Sequence, residues 1–263
     1  LQHFSGAQEA GVAARIYLEA LDEGGEFLAA STYVASLFEG LAKNFHGLQS
    51  ESWDLYLTHN ARLYKAQRWK DAHDLAVQLL QSSIFTAPEQ GEFLQKLRRF
   101  YQETGFQVAH GLEESGKIRE AEPWYHLAAS EGEDVGTALR AWHTLLINYD
   151  LKERLPDFLN TFLEFEKWNQ DKGKNKDKDK GQDRLPEKEN SSLYYSIYMR
   201  KSKVEILNSN PIKRAEALAS AAPFAPRKED QNALLWQAAL IFGAYYRVPE
   251  LMGMLEKIEE GGS

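Results

Sequence analysis

The chain contains no cysteine. Disulfides, thiolate nucleophiles and cysteine-based zinc sites are therefore excluded for it. No apolar run approaches the ~20 residues that span a bilayer, so membrane insertion is not expected. Strand signals are scarce: no Asn-Gly or Asp-Gly turn separates alternating apolar runs, and no long Val/Ile/Thr-rich stretch occurs. The HExxH, GxSxG, P-loop and GxGxxG motifs are all missing. Cations are not in surplus. Against 31 Lys and Arg stand 39 Asp and Glu, a formal net charge of -8. This balance runs against nucleic-acid binding, which needs cations gathered on one face. No signal peptide is visible and the first residue is Leu1. A processed or excised segment is the expectation, with localisation little constrained and the cytoplasm favoured.

What the chain does have is apolar residues, 43% of the total, recurring at helical spacing almost throughout. This predicts an all-α fold, with helices at about 7–22, 26–46, 51–66, 69–83, 89–114, 117–131, 134–149 and 151–168, then 191–208, 211–222, 228–246 and 248–260. Turn residues fall at the joints: Gly24-Gly25, Gly47, Pro88, Ser115-Gly116, Gly132, Pro211, Pro223 and Pro226. Pro123 and Pro156 lie early in their helices and are expected to shift boundaries rather than break them.

The segment 170–190, QDKGKNKDKDKGQDRLPEKEN, breaks the pattern. Between Asp171 and Glu189 it carries seven Lys or Arg, six Asp or Glu, and Leu185 as its one apolar side chain apart from Pro186. Too little surface can be buried there to offset the ordering entropy, so a flexible charged linker is expected. Its lysines could serve nucleic acid or anionic lipid, but the interleaved acids nearly cancel them. It divides the chain into 1–169 and 191–263, the latter read as helical hairpins continuing or capping the former.

Residues 115–132, SGKIREAEPWYHLAASEG, place a turn glycine before a helix with small residues at Ala121 and Ala128 and a large one, Tyr125, between them. The preceding helix carries Val108, Ala109 and Leu112. Small against large across a pair lets two axes approach and interdigitate. Weaker copies occur at Ala72, Ala76 and Leu79, opposite Tyr56, Asn60 and Leu63, and at Leu235, Ala238, Ala239 and Phe242, opposite Val248, Leu251, Leu255 and Ile258. Segments 7–22 and 211–222 read as second helices of such pairs. The pattern resembles the tetratricopeptide repeat (TPR) family. The resemblance covers about two-thirds of the chain, with 102–135 its best match and an irregular period, and it implies antiparallel helix pairs stacked as an α-solenoid.

Chemistry is sparse by comparison. His110 and His126 could meet across one helix pair near Glu113 and Glu114, but no Cys partner or i, i+4 histidine pair joins them. Polar groups on a solvated face are the plainer reading. Paired carboxylates such as Glu120 with Glu122, and Glu164 with Glu166, sit on polar faces or near helix ends, where they solvate the helix. No catalytic residue, metal or cofactor is expected. The resemblance implies instead a non-enzymatic scaffold or adaptor, of the kind that works within larger complexes, that binds a protein or peptide in a concave groove lined by first helices. By analogy the groove positions are Leu57, Ala61 and Tyr64, then Phe106, His110 and Glu113. They lack the Lys/Asn set that clamps a C-terminal carboxylate in some members, so a hydrophobic or basic-amphipathic segment is the expected ligand. The alternatives are an α-helical enzyme with an acidic or histidine pocket, and a nucleic-acid or membrane-surface binder acting through the linker lysines.

Overall fold

The structure, a computed structural model, describes residues 7–44, 49–81, 91–131, 134–149, 154–174 and 187–260. All regular structure among them is helical: α1 (Ala7–Glu23), α2 (Phe27–Asn44), α3 (Gln49–Lys65), α4 (Trp69–Gln81), α5 (Gly91–Glu114), α6 (Ile118–Ser130), α7 (Val135–Asn148), α8 (Leu155–Lys174), α9 (Glu187–Leu207), α10 (Pro211–Ala221), α11 (Lys228–Ala244) and α12 (Val248–Glu260). A 3₁₀ turn, Ala222–Phe224, follows α10. These are the helices that the apolar spacing predicts. Residues 175–186 of the charged segment lie outside the described residues; its two ends belong to α8 and α9.

Five connections share one structure. At the end of α1 the N–H of Gly24 donates to Ala20, that of Gly25 to Asp22, and that of Glu26 to Leu21. The same offsets close α3 at Ala66, Gln67 and Arg68, and α5 at Ser115, Gly116 and Lys117. They recur at Asn208, Ser209 and Asn210 after α9, and at Tyr245, Tyr246 and Arg247 after α11. The middle residue is left-handed each time, with φ of 76° at Gly25, 55° at Gln67, 78° at Gly116, 52° at Ser209 and 57° at Tyr246. This is the Schellman ending, which satisfies the last carbonyls of a helix. The third residue's carbonyl then accepts the N–H four residues on, from Ala30, Ala72, Ala121, Arg214 and Leu251. One helix therefore hands the chain directly to the next. The α1–α2 joint has the same form as those that follow α3 and α5.

Prolines behave differently from one another. Pro211 opens α10 behind an Asn210 cap whose side chain accepts from Lys213 N. Pro156 stands in the first turn of α8, which begins at Leu155 rather than near 151. Pro123 shifts no boundary: α6 runs through it from Ile118 to Ser130. The ring removes the N–H that Arg119 would otherwise meet, and Arg119 is exposed, so water can take that carbonyl.

Packing divides the chain into two compact units, 1–134 and 135–263, so α7 and α8 belong with the C-terminal helices. In the first unit α1 packs on α2 and α3, α2 on α3 and α4, α4 on α5, and α5 on α6. Counted from each left-handed residue, Ala30, Ala72 and Ala121 hold one position, and Val34, Ala76 and Tyr125 the next turn. Leu37, Leu79 and Ala128 follow, and all nine are at most 3% exposed. Opposite them on the first helices lie Leu18, Asn60 and Ala109, also buried. Trp53 stacks on Tyr56 at 5.0 Å and tilts against Phe93 at 5.4 Å, filling the seam toward α5. Gly105 brings α6 close, since a Cβ there would stand 2.9 Å from Leu127. In the second unit α7 packs on α8 and α9, then α9, α10, α11 and α12 pack in succession. Phe162 and Phe165 of α8 meet Tyr198 of α9 at about 6 Å, and Tyr194 stacks on Phe224 at 4.7 Å. The dense Tyr194–Tyr198 run thus contributes to the seam.

Candidate functional site

The six positions drawn from the sequence fall on α3 and α5, and they differ in how free they are. On α3, Leu57 is half-buried against the core cluster of the first unit, whereas Ala61 is exposed. Tyr64 is half-buried, its ring edge-on to Trp69 at 4.7 Å. Burial pushes its phenol above the ordinary range, and the Glu103 carboxylate of α5 adds to the rise. Glu103 lies one turn before Phe106, so this charge links the α3 and α5 sets. Phe106 is 9% exposed and meets Tyr125 edge-to-face at 5.5 Å. His110 is exposed, with Nδ1 3.7 Å from Glu114. Glu113 accepts the Tyr125 hydroxyl at 2.5 Å. Leu57, Phe106 and Glu113 therefore take part in holding the fold, while Ala61 and His110 face solvent.

A second constellation surrounds the first joint, and it was not singled out from the sequence. Asp22 lies in the last turn of α1, Ser31 in the second turn of α2, and His59 in the second half of α3. Ser31 Oγ stands 2.8 Å from His59 Nε2, His59 Nδ1 stands 2.7 Å from Asp22 Oδ1, and Arg62 Nη1 donates to Asp22 Oδ2 at 2.8 Å. An ionised carboxylate can only accept, so Nδ1 carries the proton and Nε2 accepts from the Ser31 hydroxyl. Burial is the main cause holding His59 below its ordinary value of 6.5, against the opposing pull of Asp22. The order of groups is that of a nucleophile, a base and its orienter. Yet His59 has no exposed surface and Ser31 only 8%, which leaves an incoming acyl group no room at Oγ. With every strong partner satisfied inside, the relay ties α1, α2 and α3 together.

Buried polar clamps occur elsewhere among the described residues, in both units. Gln102 is fully buried; its amide donates to the carbonyls of Ala128 and Asp134 at 2.7 and 3.0 Å and accepts from Asp134 N at 2.9 Å. Lys201 and Glu205 form an enclosed ion pair one turn apart on α9. The signal for all of these was register. His59 falls between Tyr56 and Leu63 on the apolar face of α3, where a polar side chain needs an internal partner.

Among the described residues no group of three His, Asp or Glu side chains could hold a metal ion, and no helix is long and apolar enough to cross a membrane. Compared by sequence with protein-family models and with curated proteins, the chain matches none.

Proposed function

We propose that this chain is a protein-binding scaffold whose helix pairs stack as a TPR-like α-solenoid. The observation that carries the reading is repetition. Three successive pairs, α1–α2, α3–α4 and α5–α6, share the same joint and the same buried positions after it. In the first two, first helix also packs on first helix and second on second. A stack of this kind offers the first helices as an extended binding surface. Leu57, Ala61, Tyr64, Phe106, His110 and Glu113 line it by this reading. Ala61 and His110 make the direct contacts, and the others shape the floor. The ligand is a hydrophobic or basic-amphipathic segment of a partner, without nucleic acid or cofactor.

One observation favours a second reading, an α-helical acyl-transfer enzyme: the Ser31–His59–Asp22 order. Its enclosure weighs for the scaffold. A fluorophosphonate probe separates the two, since covalent labelling at Ser31 would support the enzyme.

The scaffold reading is tested by pull-down from lysate of the source organism, with wild type beside an Ala61→Glu/His110→Glu variant that circular dichroism shows to be equally helical. A protein retained by wild type and lost with the variant supports it. Identical retention by both, or none by either, defeats it.

A further inference from the structure

The last helix pair has a face that is exposed among the described residues. On α11, Leu234, Leu235, Ala238, Ala239 and Phe242 are buried, as one face of a packed helix should be. The opposite side is apolar too. Ala233, Trp236, Leu240 and Ala244 recur at helical spacing and are all exposed, Trp236 by 50% and Leu240 by 69%. On α12, Val248 and Met252 are 58% and 50% exposed, and half-buried Leu255 continues their stripe. Gly243, three residues past Leu240, lies within ordinary contact distance of α12, since a Cβ there would stand 3.7 Å from Leu251. The two stripes therefore border one shallow trough along the α11–α12 pair.

The charges of this pair are sorted between its two sides. A cleft of about 290 Å³ lies where the pair meets α10 and its 3₁₀ turn, and Lys228, Gln231, Leu235 and Lys257 line it with Ala219, Ala222 and Pro223. At 100° per residue Gln231 lies about 140° around α11 from Trp236, Leu235 about 100° and Lys228 about 80°, each farther from Leu240, while Lys257 lies on the far side of α12 from Val248 and Met252. Lys257 is thus turned away from its stripe, and Lys228 stands at the border between the cleft and the Trp236 side. Arg227 pairs with Asp230, and Arg247 with Glu250. The trough side is left with acids at the end away from the joint: Glu229 one turn before Ala233, Glu256 one turn after Met252, and Glu259 one turn after Leu255, all exposed.

We infer that this trough binds an amphipathic helix of a partner protein whose apolar stripe is flanked by Lys or Arg. A channel between two antiparallel helices takes a third helix through anchors at i, i+3, i+4 and i+7. Exposed Trp, Leu, Met and Val supply the apolar area, with an aromatic anchor at Trp236. The acidic end sets the sign of the partner's charge and its orientation. A second copy paired with its trough running in the same direction would bring the acidic ends together, which argues against that arrangement. A lipid surface is disfavoured because acids outnumber cations on this side. The inference rests on the protein-binding reading but places a contact apart from Ala61 and His110.

The test uses the whole chain and two fluorescent probe helices of about five turns. One has Leu at the anchor spacing and Lys elsewhere; the other has Glu in place of Lys. The Leu/Lys probe is expected to bind and the Leu/Glu probe not. Leu240→Asp/Met252→Asp should weaken Leu/Lys binding at least about tenfold with circular dichroism unchanged. Glu229→Lys/Glu256→Lys/Glu259→Lys should reverse the preference between probes. Equal binding of both probes by wild type, or undiminished binding by the Asp variant, overturns the inference. So does sedimentation showing a wild-type dimer that the Asp variant dissolves, which would make a second copy the occupant. Wild type binding zwitterionic vesicles that the Asp variant does not would make it a membrane and overturn the inference likewise. If Ala61→Glu/His110→Glu abolishes Leu/Lys binding and Leu240→Asp/Met252→Asp does not, the scaffold reading survives and this trough does not. If wild type binds neither probe and retains no lysate protein, both fall.

Discussion

Ser31 of α2 and His59 of α3 share a 2.8 Å hydrogen bond in the interior of the first unit, 28 residues apart in sequence. Through His59 the bond continues to Asp22 and from there to Arg62. Three helices are thereby tied by side chains that would be unfavourable in the core if any partner were missing.

Asp22 is the member whose loss should be felt most. Asp22→Ala leaves the His59 N–H enclosed and Arg62 without its carboxylate, and should destabilise by about 2–3 kcal/mol. Ser31→Ala frees only an acceptor and should cost about 1 kcal/mol. Urea unfolding followed by circular dichroism measures both. Equal costs would show that the relay is not organised around Asp22.

Acid should weaken the protein before its carboxylates titrate. His59, His73 and His143 are each held below 6.5, with burial the largest cause. Around His59 stand Asp22, Ser31, Arg62 and Asp71; around His73 stand the Tyr101 carbonyl, Lys70, Asp74 and Glu131; His143 meets Ser196 and Arg200. A depressed folded value means that the unfolded chain binds more protons below 6.5, so stability is fully present above it and falls as the pH drops toward the folded values. Unfolding free energy should decline from about pH 7.5 to about pH 5, and His143→Gln should flatten the decline. A level or rising profile over that window would refute the assignment.

The helices were legible because their apolar spacing survives in nearly every segment, and the α5–α6 pair because Ala109, Ala121, Tyr125 and Ala128 mark it plainly. The shared joint was less legible. Glycine announces it at Gly25 and Gly116, but Gln67, Ser209 and Tyr246 adopt the same left-handed backbone without one. Which candidate residues stay free could not be read from spacing either. Phe106 and His110 are one turn apart on α5, yet the first packs on Tyr125 while the second faces solvent. The outer stripe of α11 was hidden for a related reason. A helix apolar on both sides loses its contrast, so Trp236 and Leu240 look like core until α10 and α12 are seen to fill the other side.

The joints can be tuned through their one left-handed residue. Gln67→Gly should stabilise by about 0.5–1 kcal/mol, the relief of a side chain at φ 55° less the added freedom of glycine when unfolded. Gly116→Ala should do the reverse by about 1 kcal/mol, because a Cβ there meets nothing within 4 Å and only the backbone conformation opposes it. Thermal unfolding of the two variants checks this. Shifts of the same sign would mean that the joints are not equivalent.

Lys201 and Glu205 test whether the α9 pair is held by charge or by shape. The Glu205 side chain is fully enclosed, Asn208 Nδ2 approaches it at 3.4 Å, and the Lys201 ammonium stands 4.8 Å over the Phe162 ring. Lys201→Met keeps the stem's packing on Phe162 but leaves a carboxylate in the interior with one weak partner, and should destabilise by about 3–5 kcal/mol. Lys201→Met/Glu205→Leu removes both charges and should return to within about 2 kcal/mol of wild type, because neither desolvation penalty remains. A double variant as unstable as the single one would mean that the pair is needed for its geometry, and the seam between α8 and α9 would then have to be explained by the fit of Lys201 against Phe162 rather than by charge balance.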